Sequence, residues 1–218
     1  MAVSKPSPRR SPIRPWMIWT AVAVVLAVAA VLTTKVVPIA DAEAAASGDR
    51  FDPVAYADER FDSEIVPQIE EEAVDLATLL ADLEAGADEA DFGHAPGAGS
   101  SYSFPVEFTG VAGAPNGAIL PVTVDGVPAG LTVQVQIGPA INGTALRDVT
   151  GTVSFNEFTN QLEFQGVATE FNSRVRAGVL ADVDPTALEG KTVHVVGAYT
   201  RVNPALVSVV PVVFEVEQ

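Results

Sequence analysis

The polar side chains best suited to binding chemistry lie in two neighbouring stretches, residues 136–148 and 155–161. Gly138 and Gly143 shape the first stretch into a loop at the end of a predicted strand. An arginine in such a loop can hold a carboxylate or sugar hydroxyls through a bidentate fork. The candidate ligand-binding residues are Arg147, Asp148, Asn156, Asn160 and Gln161, with Phe155 and Phe158 as a stacking surface. Together they predict a small-ligand pocket.

The same residue types also suit a purely structural role. Arg147 can pair with Asp148 or with a helix end, and the asparagines can cap turns. Irregular loops need such internal hydrogen bonds because their backbone groups lack regular partners. Both interpretations stay open on the sequence alone.

Catalytic chemistry finds little support. The two histidines, His94 in a glycine-rich loop and His194 in a predicted strand, belong to no nucleophile, zinc or phosphate-binding motif. Acidic runs at 70–72 and 88–91 lack the spacing of a calcium loop and indicate a solvated face. We therefore predict no enzymatic activity, no metal and no cofactor. The alternative is a cell-envelope saccharide hydrolase or lyase that uses Asp148 and a second acid as its carboxylate pair.

Composition excludes several other classes of protein. The chain has no cysteine, so it has no disulfide, no thiol nucleophile and no thiolate metal site. All 28 Asp and Glu residues lie after residue 40, where seven Lys and Arg residues oppose them. Such a negative surface is repelled by phosphate backbones and by anionic lipid headgroups. We expect no nucleic-acid partner.

The N-terminus has the pattern of a membrane anchor. Four basic residues precede about 18 uncharged, mostly apolar residues that begin at Trp16. A run of this length with basic flanks predicts a transmembrane helix over 16–34, with residues 1–15 as a cytoplasmic arm. The remainder then lies outside the cytoplasmic membrane. A cleaved signal peptide is the alternative, since small residues at 44–46 offer a cleavage site.

Residues 35–100 read as a connector that contains helices. Asp52 followed by Pro53 is typical of a helix start and predicts a short helix over Pro53–Arg60. Apolar residues spaced by three and four positions predict a second, amphipathic helix over 64–85, which Gly86 ends. This helix packs on its own domain in our interpretation.

Residues 101–218 have the alternation and turn signals of strands. Leu131 to Ile137 alternates strictly, with the apolar side chains on one face and Thr132, Gln134 and Gln136 on the other. An apolar stripe predicts one helix over 160–180. Strands are predicted at 102–110, 118–124, 131–138, 151–155, 192–200 and 206–217.

This order of elements predicts an α+β fold, mainly antiparallel β. Closure into a barrel removes exposed strand edges. Five strands with a single helix between the third and the fourth are the plan of an oligonucleotide/oligosaccharide-binding (OB) barrel. The count fits if 118–124 and 131–138 form one hairpin or one broken strand. A plain immunoglobulin-type sandwich has no place for the helix at 160–180.

Several motifs resemble a known family. The central ones are Gly138-Pro139, Gly143-Thr144-Ala145-Leu146-Arg147-Asp148, Phe155-Asn156 and Phe158-Thr159-Asn160-Gln161. Others are Lys35-Val36-Val37-Pro38-Ile39, Phe51-Asp52-Pro53, Leu188, Gly190-Lys191 and Gly197-Ala198-Tyr199. Over residues 35–216 the chain resembles the domain of unknown function 2291, a bacterial family of predicted periplasmic lipoproteins. Thr34 stands where a lipidated cysteine would precede Lys35, so the apolar span takes the tethering role. The resemblance implies a surface-anchored protein associated with sugar-import systems, and it transfers no functional residue.

These observations lead to one expected function and two alternatives. We expect a non-enzymatic, single-pass, extracytoplasmic accessory or ligand-binding domain. Its expected partners are the membrane, through the N-terminal helix, and components of a sugar ABC importer or a small sugar. The alternatives are the saccharide hydrolase or lyase described above and a structural protein-interaction module that docks through the acidic helix 64–85.

Overall fold

The computed structural model describes residues 51–217. The predicted cytoplasmic arm, the predicted span at 16–34 and the first part of the connector lie outside the described residues. Within 51–217, no helix combines the length and the apolar character that a membrane crossing requires.

Helix α1, Pro53–Arg60, begins as predicted. The Oδ1 atom of Asp52 accepts hydrogen bonds from the backbone N–H groups of Val54 at 2.9 Å and of Ala55 at 3.3 Å. Pro53 occupies a first-turn position, where a backbone N–H would have no helical partner.

The prediction of one continuous helix over 64–85 is wrong. A π-helical turn, Phe61–Ile65, leads into α2, Val66–Glu72, and the chain then leaves the helix at Ala73, whose ψ is 128°. Two residues, Val74–Asp75, form the short strand β1 before α3, Leu76–Glu84, begins.

The physical reason for this interruption is a second helix cap inside the apolar stripe. The Oδ1 atom of Asp75 accepts a hydrogen bond from the N–H of Thr78 at 2.9 Å, which starts α3 anew. The stripe is preserved because Ile69 of α2 and Leu76 of α3 are both fully buried. Gly86 ends α3 as predicted, with a φ of +93°.

The strands form the predicted closed barrel. The sheet order is β1-β2-β3-β4-β6-β5, and β5 pairs back onto β2, which closes five strands into a ring. The barrel strands are β2, Ser103–Ala112; β3, Ile119–Thr123; β4, Thr132–Gln136; β5, Thr192–Thr200; and β6, Leu206–Val216. β3 and β4 are an antiparallel hairpin, and β4 runs parallel to β6. This is an α+β fold with OB-type strand order.

The strand predicted at 151–155 is wrong. Gly151 has a φ of +68°, a left-handed conformation that does not continue a strand. Ser154 then caps a 3₁₀ turn, Phe155–Glu157, and the Oε1 atom of Glu157 accepts the Ser154 N–H at 2.7 Å. This capping box competes with the β propensity of the stretch.

Two helices lie between the third and fourth barrel strands. The first is the single turn α4, Ala145–Asp148, and the second is α5, Gln161–Ala177. Asn160 starts α5, since its Oδ1 accepts the N–H groups of Leu162 at 2.9 Å and Glu163 at 3.1 Å. The predicted inserted helix is therefore confirmed, with bounds that are slightly shorter than 160–180.

The core follows from the alternation of the strands. Val133 and Val135 of β4 point into the barrel, where the valines of β5 and β6 meet them. Full burial of such a side chain stabilises the fold by about 1.5–3 kcal/mol. On the outward faces of β4 and β6, Ser208 is partly exposed and Gln136 is buried, and both belong to the site described next.

Candidate functional site

Arg147 and Asp148, the first two predicted ligand-binding residues, are buried on α4. The Nε atom of Arg147 donates to Oδ1 of Asp148 at 2.7 Å, and its Nη1 donates to the backbone oxygen of Phe164 at 3.1 Å. The guanidinium also lies 3.5 Å above the centre of the Phe164 ring. The arginine therefore ties α4 to α5.

The carboxylate of Asp148 is occupied at both oxygens. Its Oδ1 accepts from Arg147, and its Oδ2 accepts the hydroxyl of Thr144 at 2.6 Å. Its side chain is 3% exposed. This arrangement matches the structural alternative that the sequence left open for Arg147.

The other three predicted residues lie apart from this pair. Asn160 caps α5, whereas Asn156 and Gln161 are exposed. The backbone N–H of Asn156 donates to Oγ of Ser154 at 3.3 Å. A ligand-binding role for the five residues stays a prediction.

The turn that carries Asn156 is fastened to α1. The hydroxyl of Tyr56 donates to Oε2 of Glu157 at 3.1 Å, and Arg60 bonds to both of these side chains. Burial raises the pKa of Tyr56 to about 12, although the Arg60 charge opposes this shift. The polar groups around residues 155–157 therefore hold secondary-structure elements together.

A cavity of about 320 Å³ lies on the outer face of the barrel, where β4 and β6 run side by side, and most of its lining surface is apolar. Its polar lining consists of Gln136, Asn142, Thr200, Asn203 and Ser208, and its apolar lining includes Val202, Leu206 and Val210. None of the five predicted residues lines it. We call it the β4–β6 cavity.

Gln136 braces one wall of the β4–β6 cavity. Its Nε2 donates to the backbone oxygen of Asn142 at 3.0 Å, and its Oε1 accepts the Asn142 N–H at 2.7 Å. These two bonds close the loop after β4 and fix Asn142 at the rim, where its side chain is exposed. The side chain of Gln136 is held in one orientation because its amide nitrogen and its amide oxygen are both hydrogen-bonded.

The opposite wall comes from β6 and from the loop between β5 and β6. Parallel pairing places Ser208 beside Gln134, whose Nε2 donates to the serine Oγ at 3.0 Å. Asn203 is held in the loop by the N–H of Ala205, which donates to its Oδ1 at 2.9 Å. The hydroxyl and the amide NH₂ group of these two residues can still donate to a ligand.

The lining of the β4–β6 cavity carries no formal charge. Neutral amides and hydroxyls beside aliphatic side chains can bind a molecule that has both hydroxyl groups and C–H faces. A phosphate or carboxylate finds no cationic partner there. The site therefore suits a neutral, polyhydroxylated ligand better than an anion.

None of the lining residues of this cavity was predicted to bind a ligand, although two of the polar ones lie in the stretch 136–148. Gln136 stands on the polar face of the predicted strand, and Asn142 lies in the loop that was singled out. Asn203 and Ser208 were missed because the parallel register of β4 and β6 joins segments about 70 residues apart. Ser208 did leave a signal, since it is the polar residue that interrupts the valines of β6.

A solved structure shares this architecture. The crystal structure of an OB-fold protein from Thermotoga maritima matches with a TM-score of 0.61 and 20% sequence identity, over 77% of this chain and 99% of that one. At this level of identity the likeness shows the fold. No curated protein matches the chain.

The sequence itself matches a family profile over residues 21–215, which is most of its length. The family is described as predicted periplasmic lipoprotein, domain of unknown function 2291. The resemblance drawn from the motifs at 138–161 is thereby confirmed. This chain belongs to the predicted periplasmic lipoprotein family known as domain of unknown function 2291.

Proposed function

We propose that this protein is a membrane-anchored, extracytoplasmic accessory domain that binds a neutral saccharide in the β4–β6 cavity, without transforming it, on behalf of a sugar ABC importer. The observation that carries the proposal is the uncharged lining of that cavity, in which amide and hydroxyl groups interrupt a mostly apolar surface. Five amide or hydroxyl side chains line it beside four aliphatic ones.

The position of the cavity supports this ligand class. OB barrels bind oligonucleotides and oligosaccharides at loops that include the one between their last two strands. Here that loop, residues 201–205, supplies Val202 and Asn203 to the lining. The strong excess of acids over bases disfavours an oligonucleotide. A saccharide is the ligand class that remains compatible with both facts.

The volume of the cavity limits the size of the ligand. Small-molecule sites span about 300–1,000 Å³. The β4–β6 cavity, at about 320 Å³, stands at the small end of that range. We therefore propose a mono- or disaccharide.

A binding role without catalysis is supported by the state of Asp148. A glycosidase needs two carboxyl groups that face a substrate. Asp148 is buried, and both of its oxygens already accept hydrogen bonds from Arg147 and Thr144. A tethered domain that holds a sugar outside the membrane can serve a permease by concentrating its substrate.

The test is calorimetry and thermal melting of the full-length chain in phosphatidylcholine nanodiscs, since alkyl glycoside detergents carry the proposed ligand chemistry. We expect at least one neutral mono- or disaccharide to bind. At 100 times its Kd, the ligand stabilises the fold by about 2.7 kcal/mol. That raises the Tm by about 5–10 °C for a domain of this size.

A matched pair of variants locates the site. Asn142→Ala removes an amide at the rim of the cavity, and we expect a Kd that is about 3–10-fold weaker, the effect of one neutral hydrogen bond. Asn156→Ala removes another exposed asparagine, one that lies outside the cavity, and the Kd should not change. Failure of all neutral sugars to bind, or equal weakening by both variants, would contradict the proposal.

A further inference from the structure

A second cavity, of about 390 Å³, opens between α3 and the loops that follow β3 and β5. Its walls are mostly apolar and include Leu80, Leu83, Pro128, Leu131 and Pro204. We call it the α3 groove. It shares the 201–205 loop with the β4–β6 cavity, but no residue lines both.

The chain segment at the end of α3, which contributes to the α3 groove, is acidic. Between Asp82 and Asp91 the chain has five acidic residues and no basic one. Glu84 lines the groove, and so does Arg201, the only basic residue of the lining. Arg201 is neutralised by an ion pair with Glu89.

The apolar walls and the acidic surroundings call for a particular kind of occupant. Leucine and proline side chains favour an apolar insert, while a charge of one sign around them selects a partner of the opposite charge. An amphipathic segment that buries apolar side chains in a groove and shows charged ones at the rim is a common recognition mode.

We propose that the α3 groove docks a basic amphipathic segment of a partner protein, with its apolar side chains between α3 and the 128–131 loop and its Lys or Arg residues against the acidic segment 82–91. This proposal is independent of the saccharide site. It assigns a protein partner to a surface that shares the 201–205 loop with the saccharide site but none of its lining residues.

The same charge argument excludes two other occupants. A second copy of this chain carries the same excess of acids after residue 40, and like charges repel across an interface. An anionic lipid surface is repelled for the same reason. A basic protein segment is the occupant that complements both features of the groove.

The probe is a fluorescent amphipathic helical peptide with leucine on one face and lysine on the other. It is titrated onto the full-length chain in phosphatidylcholine nanodiscs. We expect saturable binding that weakens at least threefold between 50 and 300 mM salt, because exposed charges are screened. A peptide of the same pattern with glutamate in place of lysine should not bind. Equal binding of the two peptides would overturn the proposal.

The variant Ala129→Arg places a long cationic side chain in the groove from an exposed position. We expect it to weaken binding of the leucine–lysine peptide about tenfold or more. Ala181→Arg makes the same charge change at an exposed position outside the groove, and we expect less than a threefold effect. If both variants weaken peptide binding equally, the peptide is attracted to the acidic surface in general. That result would overturn the proposal of a docking groove. Dimerisation that Ala129→Arg abolishes would overturn it in favour of a second copy.

Discussion

Replacing Asp148 with alanine should lower the free energy of unfolding by about 3–5 kcal/mol, the usual cost of breaking a buried ion pair. The variant leaves the guanidinium of Arg147, which is only 3% exposed, without its carboxylate partner. The free-energy cost arises because an unpaired charge is kept out of water. At about 2–4 °C per kcal/mol, the Tm should fall by roughly 6–20 °C. Circular dichroism of the full-length chain measures this.

A surface ion pair provides the matched control. Arg174 pairs with Asp58, whose side chain is 65% exposed. Asp58→Ala should therefore cost no more than about 1 kcal/mol, because solvent screens the pair. If Asp148→Ala and Asp58→Ala have the same small effect, the buried pair does not tie α4 to α5 as described.

Replacing Gly197 with alanine should destabilise the barrel by about 1–3 kcal/mol through overpacking. The pairing of β5 with β6 has a bulge between Val196 and Gly197. A Cβ atom at Gly197 would lie 2.3 Å from the backbone oxygen of Val210 and 2.8 Å from Cγ1 of Val209. Since this oxygen belongs to the neighbouring strand, it cannot move away without disturbing the hydrogen bonds between β5 and β6. Urea unfolding measures the loss.

Gly113→Ala is the control for this substitution. There the nearest atom to the added Cβ is the backbone oxygen of Pro121 at 3.5 Å, an ordinary contact distance. We expect a change of less than about 0.5 kcal/mol, as for most surface substitutions. A Gly197→Ala variant as stable as Gly113→Ala would mean that β5 and β6 do not approach as closely as the structure shows.

Local signals in the sequence predicted most of the fold. Asp52 and Pro53 predicted the start of α1. Strict alternation at 131–137 predicted β4, and the apolar stripe at 160–180 predicted α5. Each of these signals depends on neighbours within one turn or one strand. The OB plan followed because five strands and one inserted helix leave few closed arrangements.

The two errors have a common physical cause. At Asp75 and at Ser154 a side-chain cap decides the local conformation against the periodicity of the surrounding residues. A cap contributes about 1 kcal/mol. That is enough to divide a helix whose apolar stripe stays buried on both sides of the break, or to turn a short strand into a 3₁₀ turn.

The candidate site was harder to predict than the fold. The sequence drew attention to Arg147 and Asp148 because of their chemistry, yet in the structure these residues satisfy each other. Gln136 and Ser208 face one cavity only because β4 and β6 pair in parallel. Which distant segments become neighbours is decided by barrel closure, which the local pattern of either strand does not reveal.

Single-cysteine labelling in bacterial spheroplasts tests the central claim most directly, since the natural chain has no cysteine. Asn142→Cys places a thiol at the rim of the β4–β6 cavity, and Asn156→Cys places one elsewhere on the same domain. A membrane-impermeant maleimide should label both in intact spheroplasts, and a bound neutral saccharide should slow labelling only at position 142. Labelling that requires lysis of the cells, or saccharide protection at neither position, would contradict an extracytoplasmic saccharide-binding domain.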